Sequence, residues 1–237
     1  MQIQAHRWAS VALIGALLLT TSLSAQTDTS GGNDLPTVAV LDFTGLMMGS
    51  AGNSAPLGKA VSSMLVTELL DRPGIRVIER HQLQDILTEQ ALALSGRVDE
   101  STAVEIGKLV GAQYMIYGQV TSIADQLRMD MRAVDVETSE IVEAQKMNDR
   151  TSELLSVVVR MADSFTERLR LEPPSSRPEM EAIPVGATIE FSRGVDFEDQ
   201  GNIEKALEHY RRALEIHPSH RAAKRAVERL ENRGAEG

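Results

Sequence analysis

A glycine-rich stretch at residues 45–56 is the first part of the sequence whose composition suggests chemistry. It lies between an apolar run, residues 37–43, and a helical pattern, and a glycine loop in that position can bind phosphate through backbone N–H groups. The stretch lacks the Gly-Lys-Ser/Thr ending of a nucleotide-binding loop because Lys59 is followed by Ala60. It does not match the dinucleotide-binding pattern either. The sequence therefore predicts neither nucleotide binding nor any other cofactor.

Two further sites have residues that could act as acids or bases. Asp42 follows the apolar run, but no histidine, cysteine or second carboxylate lies near it in sequence. A structural capping role is therefore predicted for it. Residues 79–81, Glu-Arg-His, follow the next apolar segment, and an ion pair at the start of a helix explains them without catalysis.

Three histidines near the C-terminus, His209, His217 and His220, are the remaining candidates for metal binding. His217 and His220 flank the end of a predicted helix, and no fourth ligand follows at the spacing of a zinc site. No metal site is predicted. Since no catalytic constellation emerges, the sequence predicts that the protein is not an enzyme.

The apolar run at residues 37–43 indicates the element around which the others are arranged. It is rich in β-branched residues and bounded by Pro36 and Gly45, which predicts a strand buried on both faces, at the centre of a helix-covered sheet. The other predicted elements are helices at residues 57–72, 81–95, 102–110 and 151–169, and strands at residues 75–79, 114–123, 127–136 and 141–147.

These elements follow the order βαβααβββα and predict an α/β domain, with helices packed on a mixed sheet of the α+β type, over residues 36–171. The last three strands are predicted to form an antiparallel meander because their connections are too short for crossovers. Residues 172–186 carry four of the eight prolines in the chain, which predicts a semi-rigid linker. A small all-α domain is predicted beyond it, over residues 187–233.

The C-terminal domain has the residue spacing of a tetratricopeptide repeat. The matching residues are Gly194, Phe197, Gly201, Ala206, Tyr210, Ala213 and Pro218. Gly194 and Ala206 are small enough to let two helices approach closely, and Phe197 and Tyr210 are expected to fill the space between them. One repeat is too few for independent stability, so it is expected to pack on the first domain or on another copy.

The N-terminal residues predict export. Residues 1–25 contain an apolar run of signal-peptide length followed by small and polar residues, with cleavage predicted after Ala25. Residues 26–35 are predicted to form a flexible N-terminus. The chain has no cysteine, and Gln26 stands where a bacterial lipoprotein needs one, so no lipid anchor is predicted. The formal net charge of −10 disfavours nucleic acid as a partner.

The first domain resembles the CsgG family, the curli production assembly/transport component. The stretches that carry the resemblance are VAVLDFTG, LGKAVSSMLVTELL, VIERHQLQDILTEQ, STAVEIGKLVGAQYMIYGQV and MRAVDVETSEIV, in the order of the family. The family's channel is a lipoprotein with membrane-inserted hairpins, and this chain lacks both the cysteine and the pair of long alternating strands. The resemblance therefore implies the soluble periplasmic core of the family.

The resemblance also implies a role for the glycine-rich stretch. In the channel, the corresponding loop narrows the central passage of a ring. By this resemblance, Met47, Met48 and Asn53 are the predicted partner-binding residues in the loop.

The predicted function is that of a non-enzymatic periplasmic scaffold, in a Gram-negative-type envelope, that acts in secretion or assembly of envelope or surface material. Its predicted partners are envelope proteins or its own copies in a homo-oligomeric ring, with outer-membrane association through partners and a tetratricopeptide module that binds a partner segment. The alternative is a contact activator of a cell-wall synthase, because activators of penicillin-binding proteins look similar in this core.

Overall fold

The computed structural model describes residues 35–48, 54–89, 98–174 and 181–235. The predicted signal peptide and nearly all of the predicted flexible N-terminus lie outside these residues. The described chain, from Leu35 onward, belongs to one compact unit.

The strands are β1 (Thr37–Val40), β2 (Thr44–Met48), β3 (Ser54–Ala55), β4 (Arg76–Val77), β5 (Tyr114–Ile123), β6 (Gln126–Asp135) and β7 (Ile141–Arg150). The helices are α1 (Leu57–Leu70), α2 (Arg80–Glu89), α3 (Glu100–Val110), α4 (Leu154–Arg168, after a 3₁₀ turn), α5 (Val185–Asp199), α6 (Ile203–Ile216) and α7 (Arg221–Ala235).

The seven strands of the described residues join one mixed sheet. β1 is parallel to both β4 and β5, and β2 is parallel to β5 further along that strand. β5, β6 and β7 pair in antiparallel order. The predicted α/β fold with helices on a mixed sheet, including the meander, is therefore confirmed.

β1 is the buried central strand that its composition predicts. Val38 and Val40 pack into a core with α1 and α4. Ala39 and the following Leu41 pack into a second core with α2 and α3. The alternation of side chains along a strand thus gives β1 a helix-covered surface on both faces.

The structure differs from the prediction on either side of β1. The strand ends at Val40 instead of residue 43, and part of the expected loop forms β2 and β3. Gly45 makes this pairing possible: its φ is +146°, and a Cβ on it would lie 1.6 Å from the carbonyl oxygen of Val120. β2 has the sequence Thr-Gly-Leu-Met-Met, with one β-branched residue and no aromatic residue, so it lacks most of the usual β signals, which is why the sequence indicated a loop. β4 is also shorter than predicted.

The segment that directly follows β1 is held against the first turns of α1. The Ser62 hydroxyl accepts a hydrogen bond from the Phe43 N–H (2.8 Å) and donates one to the Leu41 carbonyl oxygen (3.1 Å). A Cβ on Gly58 would lie 1.8 Å from the Phe43 carbonyl oxygen, so only glycine permits this approach. Asp42 is held between these anchored residues, at the carboxyl end of the central strand.

The C-terminal helices pack on the first domain. α5 and α6 form a close pair, α7 packs on α6, and both α5 and α7 contact α1. Phe191, Tyr210 and Leu230 belong to the same apolar cluster as α1 and α4. Of the two arrangements expected for a single repeat, the structure therefore has packing on the first domain.

Candidate interaction surfaces

Arg80 joins three elements at the carboxyl end of the central strand. Its Nε and Nη2 donate to the two Asp42 oxygens, each at 2.7 Å. Its Nη1 and Nη2 donate to Asp199, at the end of α5, at 2.7 and 2.8 Å. The capping role predicted for Asp42 is therefore wrong, since the carboxylate pairs with Arg80. The helix predicted from residue 81 begins one residue earlier, at Arg80.

Lys59 extends this network from the first turn of α1. Its Nζ lies 2.9 Å from Asp196 Oδ1 and 2.8 Å from Asp199 Oδ2. Burial opposes the charge on Arg80, but hydrogen bonds and charge from Asp199 and Asp42 outweigh it and raise the pKa of Arg80. Burial likewise opposes the charge on Asp199, but Arg80 and Lys59 lower the pKa of that carboxyl. Arg80 and Asp199 therefore stay charged near neutral pH, at the centre of a structural ion-pair network.

A second set of ion pairs joins the other end of α1 to α7. Arg221 Nη1 donates to Glu68 Oε1 at 2.7 Å. Asp71, just after α1, pairs with Arg221 and also accepts from Arg225 at 3.2 Å. Carboxylates of α5 thus pair with the start of α1, and arginines of α7 pair with its end.

Within the repeat, Gly194 and Tyr210 of the predicted pattern lie in contact. A Cβ on Gly194 would lie 2.5 Å from the Tyr210 ring, so glycine lets α5 and α6 approach. The buried Tyr210 hydroxyl donates to Glu198 at 2.7 Å, and Arg229 donates to the same carboxylate at 2.6 Å. Burial and the charge of Glu198 raise the pKa of Tyr210.

The other residues of the pattern lie between the two helices, at the edge of their contact or at their ends. Phe197 is half-buried and stacks on His209, with 5.1 Å between the ring centroids. Gly201 has a φ of +72° in the α5–α6 turn. Ala206 and Ala213 are buried on α6, and Pro218 follows that helix.

The three histidines do not converge on one point, although two of them are neighbours. His209 Nδ1 lies 2.7 Å from Glu190 Oε2. The His217 and His220 rings are 6.2 Å apart. His220 is only 1% exposed, and its Nδ1 accepts from the Ala223 N–H at 3.4 Å. Burial lowers the pKa of His220 to about 4. In the described ranges, no group of three metal-ligating side chains is placed to hold an ion.

An exposed apolar surface lies at the ends of β2 and β5. Met48 is 58% exposed and Ile123 is 57% exposed, and the two residues are direct partners in the β2–β5 register. We call this pair the Met48–Ile123 surface. Of the other predicted partner-binding residues, Met47 belongs to β2 rather than to a loop, and Asn53 lies outside the described residues.

A groove of about 780 Å³ adjoins this surface. Its lining residues are Thr121, Ile123, Asp125, Gln126, Leu127, Arg128, Asn148, Asp149 and Arg150. Apolar and charged groups therefore lie side by side at this end of the sheet.

The sequence prediction missed the charged residues that join the two parts of the chain. Asp196 and Asp199 lie in the last turn of α5, and Arg221 and Arg225 lie in the first turns of α7. Each is unfavourable with its own helix dipole. That mismatch is a signal, readable from the sequence, that these charges have partners elsewhere.

None of the helices among the residues that the structure describes combines the length and apolar character needed to span a bilayer.

Comparisons with solved structures found distant similarities. The C-terminal domain of LpoB from Salmonella enterica is 18% identical, with 52% of this chain and 87% of that chain covered and a TM-score of 0.40. The same domain from Escherichia coli is 20% identical, with coverage of 50% and 85% and a TM-score of 0.39. A lipoprotein from Neisseria meningitidis is 11% identical, with coverage of 56% and 98% and a TM-score of 0.39. No curated protein matches the sequence significantly.

Comparison with family models gave two matches. Residues 20–123 match the family described as curli production assembly/transport component CsgG. Residues 187–220 match the tetratricopeptide repeat. The predicted resemblance is thus confirmed: a match to the CsgG family is followed along the chain by a match to the tetratricopeptide repeat.

Proposed function

We propose that the protein is a non-enzymatic interaction protein of the periplasm that acts in secretion or assembly of envelope or surface material. The CsgG-family match and the repeat support a role in protein interaction. The signal-peptide pattern of residues 1–25 supports export. The partner is an envelope protein or another copy of the chain, including copies arranged in a ring.

The observation that carries this proposal is the Met48–Ile123 surface. Two large apolar side chains, each more than half exposed and adjacent in the sheet, contribute little to the fold. Contiguous exposed apolar groups with polar surroundings are typical of protein contact sites. Met47 and Asn53, which the family resemblance predicts as partner-binding residues, remain part of the proposal on that resemblance alone.

The test is photo-crosslinking of the full chain in cells of the source organism. A photoreactive amino acid replaces Met48 or Ile123, and the matched control places it at Ile216, another exposed apolar residue. Adducts with an envelope protein, or with a second copy, are expected at positions 48 and 123 and not at 216. Met48→Ser with Ile123→Ser is expected to abolish the corresponding complex while changing stability by less than about 0.5 kcal/mol.

The identity of the adduct separates the roles. An export or assembly component, or a second copy, supports the proposed scaffold. A cell-wall synthase supports the alternative role of contact activator. Equal adduct yields at positions 48, 123 and 216 would overturn the proposed contact surface.

A further inference from the structure

The β5–β6–β7 meander has one face that is only partly covered by helices. Val120 and Met129 point into the core with α1 and α4, so the residues that alternate with them lie on the opposite face. On that opposite face, the core with α2 and α3 ends at Tyr117 on β5. Two grooves, of about 340 and 780 Å³, lie beyond it and share Arg128.

The strand register arranges the side chains of this face in rows. Same-face positions recur every second residue along a strand, so successive rows are about 7 Å apart. The four rows of β6 and β7 pair Arg132 with Ala144, Asp130 with Lys146, Arg128 with Asn148, and Gln126 with Arg150. Every row contains one cation, and we call these four side chains the cation ladder: Arg132, Lys146, Arg128 and Arg150.

Most of the cation ladder has no carboxylate partner within the described part of the chain. Arg128 Nε donates to Asp130 Oδ2 at 3.2 Å. Arg132, Lys146 and Arg150 make no ion pair with any residue that the structure describes, and all of them are exposed. Four cations and one acid give the rows a net charge of +3, although the formal net charge of the whole chain is −10.

This charge distribution does not help the chain to fold. The spacing of the rows is close to the Debye length of about 8 Å at physiological salt, so the cations repel one another with limited screening. Their exposed side chains add no apolar packing to either core. Arrangements that oppose stability in this way are expected where a protein binds something.

We propose that the cation ladder binds an extended acidic segment of a partner protein, with carboxylates at alternate positions. In an extended chain, side chains on one face repeat about every 7 Å, which is the spacing of the rows. Three of the four cations are arginines, which form charge-assisted, bidentate hydrogen bonds with carboxylates. The complementary charge and the matching repeat together define this partner.

Acids limit the cation ladder at both ends. Tyr117 lies in the row of Arg132, and Asp99 and Glu100 at the start of α3 are near enough to act electrostatically on its hydroxyl. Asp125 follows the last row, in the turn between β5 and β6. The four rows span roughly 20 Å, so the surface fits about four carboxylates on a segment of seven or eight residues.

A protein segment fits this surface better than an acidic polysaccharide. Sugar rings typically stack on exposed aromatic side chains, but Tyr117, the aromatic residue that lines the smaller groove, is only 3% exposed. The last row continues across the sheet through Ile123 to Met48. Apolar side chains of a peptide can contact these two residues, and a polysaccharide has none.

The test measures the binding of a defined acidic peptide to the full chain. A fluorescent eight-residue peptide of alternating glutamate and threonine places its four carboxylates about 7 Å apart when extended, and anisotropy at low salt reports its binding. Lys146→Gln with Arg150→Gln removes two cations of the ladder. We expect binding to weaken roughly tenfold, as the loss of two exposed charge pairs predicts.

Three controls separate the ladder from net charge. Lys108→Gln with Lys224→Gln makes the same charge change at exposed positions on α3 and α7 and is expected to bind like wild type. Lys146→Arg keeps the charge and is expected to retain binding. In a peptide with its four glutamates in one block, alternate glutamates face away from the ladder, so roughly tenfold weaker binding is expected.

The possible results give a clear decision. Absence of binding to wild type at low salt, equal losses in the ladder variant and its lysine control, or equal affinity for the block peptide would each overturn the proposal. Displacement of the peptide by oligogalacturonate at equal carboxylate concentration would overturn the assignment to a protein segment. Met48→Ser with Ile123→Ser is expected to leave peptide binding unchanged, so this result is independent of the Met48–Ile123 surface.

Discussion

At the scale of the residue, Arg80 is the side chain that ties the sheet to the repeat. Replacing it with methionine keeps much of its volume but leaves Asp42 and Asp199 facing each other without their shared cation. Removing one member of a buried ion-pair network typically costs about 3–5 kcal/mol. Urea denaturation of Arg80→Met is expected to show a loss of unfolding free energy of that size.

The matched control is Arg212→Met. Arg212 pairs with Glu208 on the exposed side of α6, and such surface pairs contribute less than about 1 kcal/mol. Equal losses for the two variants would mean that the network around Arg80 is no stronger than a surface pair.

His220 gives the fold a defined pH dependence. Burial lowers its pKa from 6.5 to about 4 in the native state, so below pH 6.5 the unfolded chain binds a proton that the native chain does not. Stability from this group is fully present above pH 6.5 and is lost as pH falls towards 4. The shift corresponds to about 3 kcal/mol.

His220→Asn removes this titration and keeps a good N-cap for α7. Unfolding free energies measured from pH 7 to pH 4 are expected to fall more steeply for wild type than for the variant. Parallel curves would contradict the buried neutral state of His220. The remaining histidines are common to both proteins and cancel in the comparison.

At the scale of the element, the β5–β6 turn carries a local strain. Ala124 has a φ of +56°, a left-handed conformation that costs a residue with a Cβ about 1–2 kcal/mol. Ala124→Gly removes that cost but adds flexibility to the unfolded chain. We therefore expect the free energy of unfolding, measured by thermal or urea denaturation, to rise by about 0.5–1 kcal/mol.

Ala144→Gly is the control for this turn. Ala144 is exposed in β7 and does not have a positive φ, so glycine there is expected to reduce stability by about 0.5–1 kcal/mol. We therefore expect the free energy of unfolding to rise for Ala124→Gly and to fall for Ala144→Gly. A loss at both positions would contradict the strain at Ala124.

The elements that the sequence predicts best are those with a clear period or cap. The alternation along β6 and the helical stripe of α4 placed both elements correctly. The helix predicted to end at residue 110 does end there, because Gly111 has a left-handed φ of +69° at the C-cap. β2 could not be predicted because its pairing depends on a close contact between Gly45 and the distant Val120, not on local propensity.

At the scale of the whole molecule, the placement of the repeat is what local patterns predict least. The ion pair between Lys59 and Asp196 joins residues 137 positions apart, and no periodicity within either segment indicates it. The expectation that a single repeat needs a neighbour was sound because its own core is small. The sequence did not indicate whether the repeat packs on the first domain or on another copy. The partner-binding residues were assigned from the family resemblance alone.

The continuous core predicts that the first domain and the repeat unfold together. Phe191 and Tyr210 of the repeat belong to the same buried cluster as Val40 and Leu65 of the first domain. A boundary that carries both apolar packing and charge pairs leaves neither part a complete core. Calorimetry of the full chain is therefore expected to give one transition, with a calorimetric enthalpy equal to the van't Hoff enthalpy.

Hydrogen exchange provides the segment-level readout of the same prediction. Amides in α1 and in α6 are expected to share one opening free energy, because releasing the repeat uncovers the apolar face of α1. Arg80→Met is expected to lower the opening free energies of α1 and α6 by the same amount. Independent protection of α6, or a separate transition for the repeat, would show that the contact with α1 contributes little and that the repeat is stable without it.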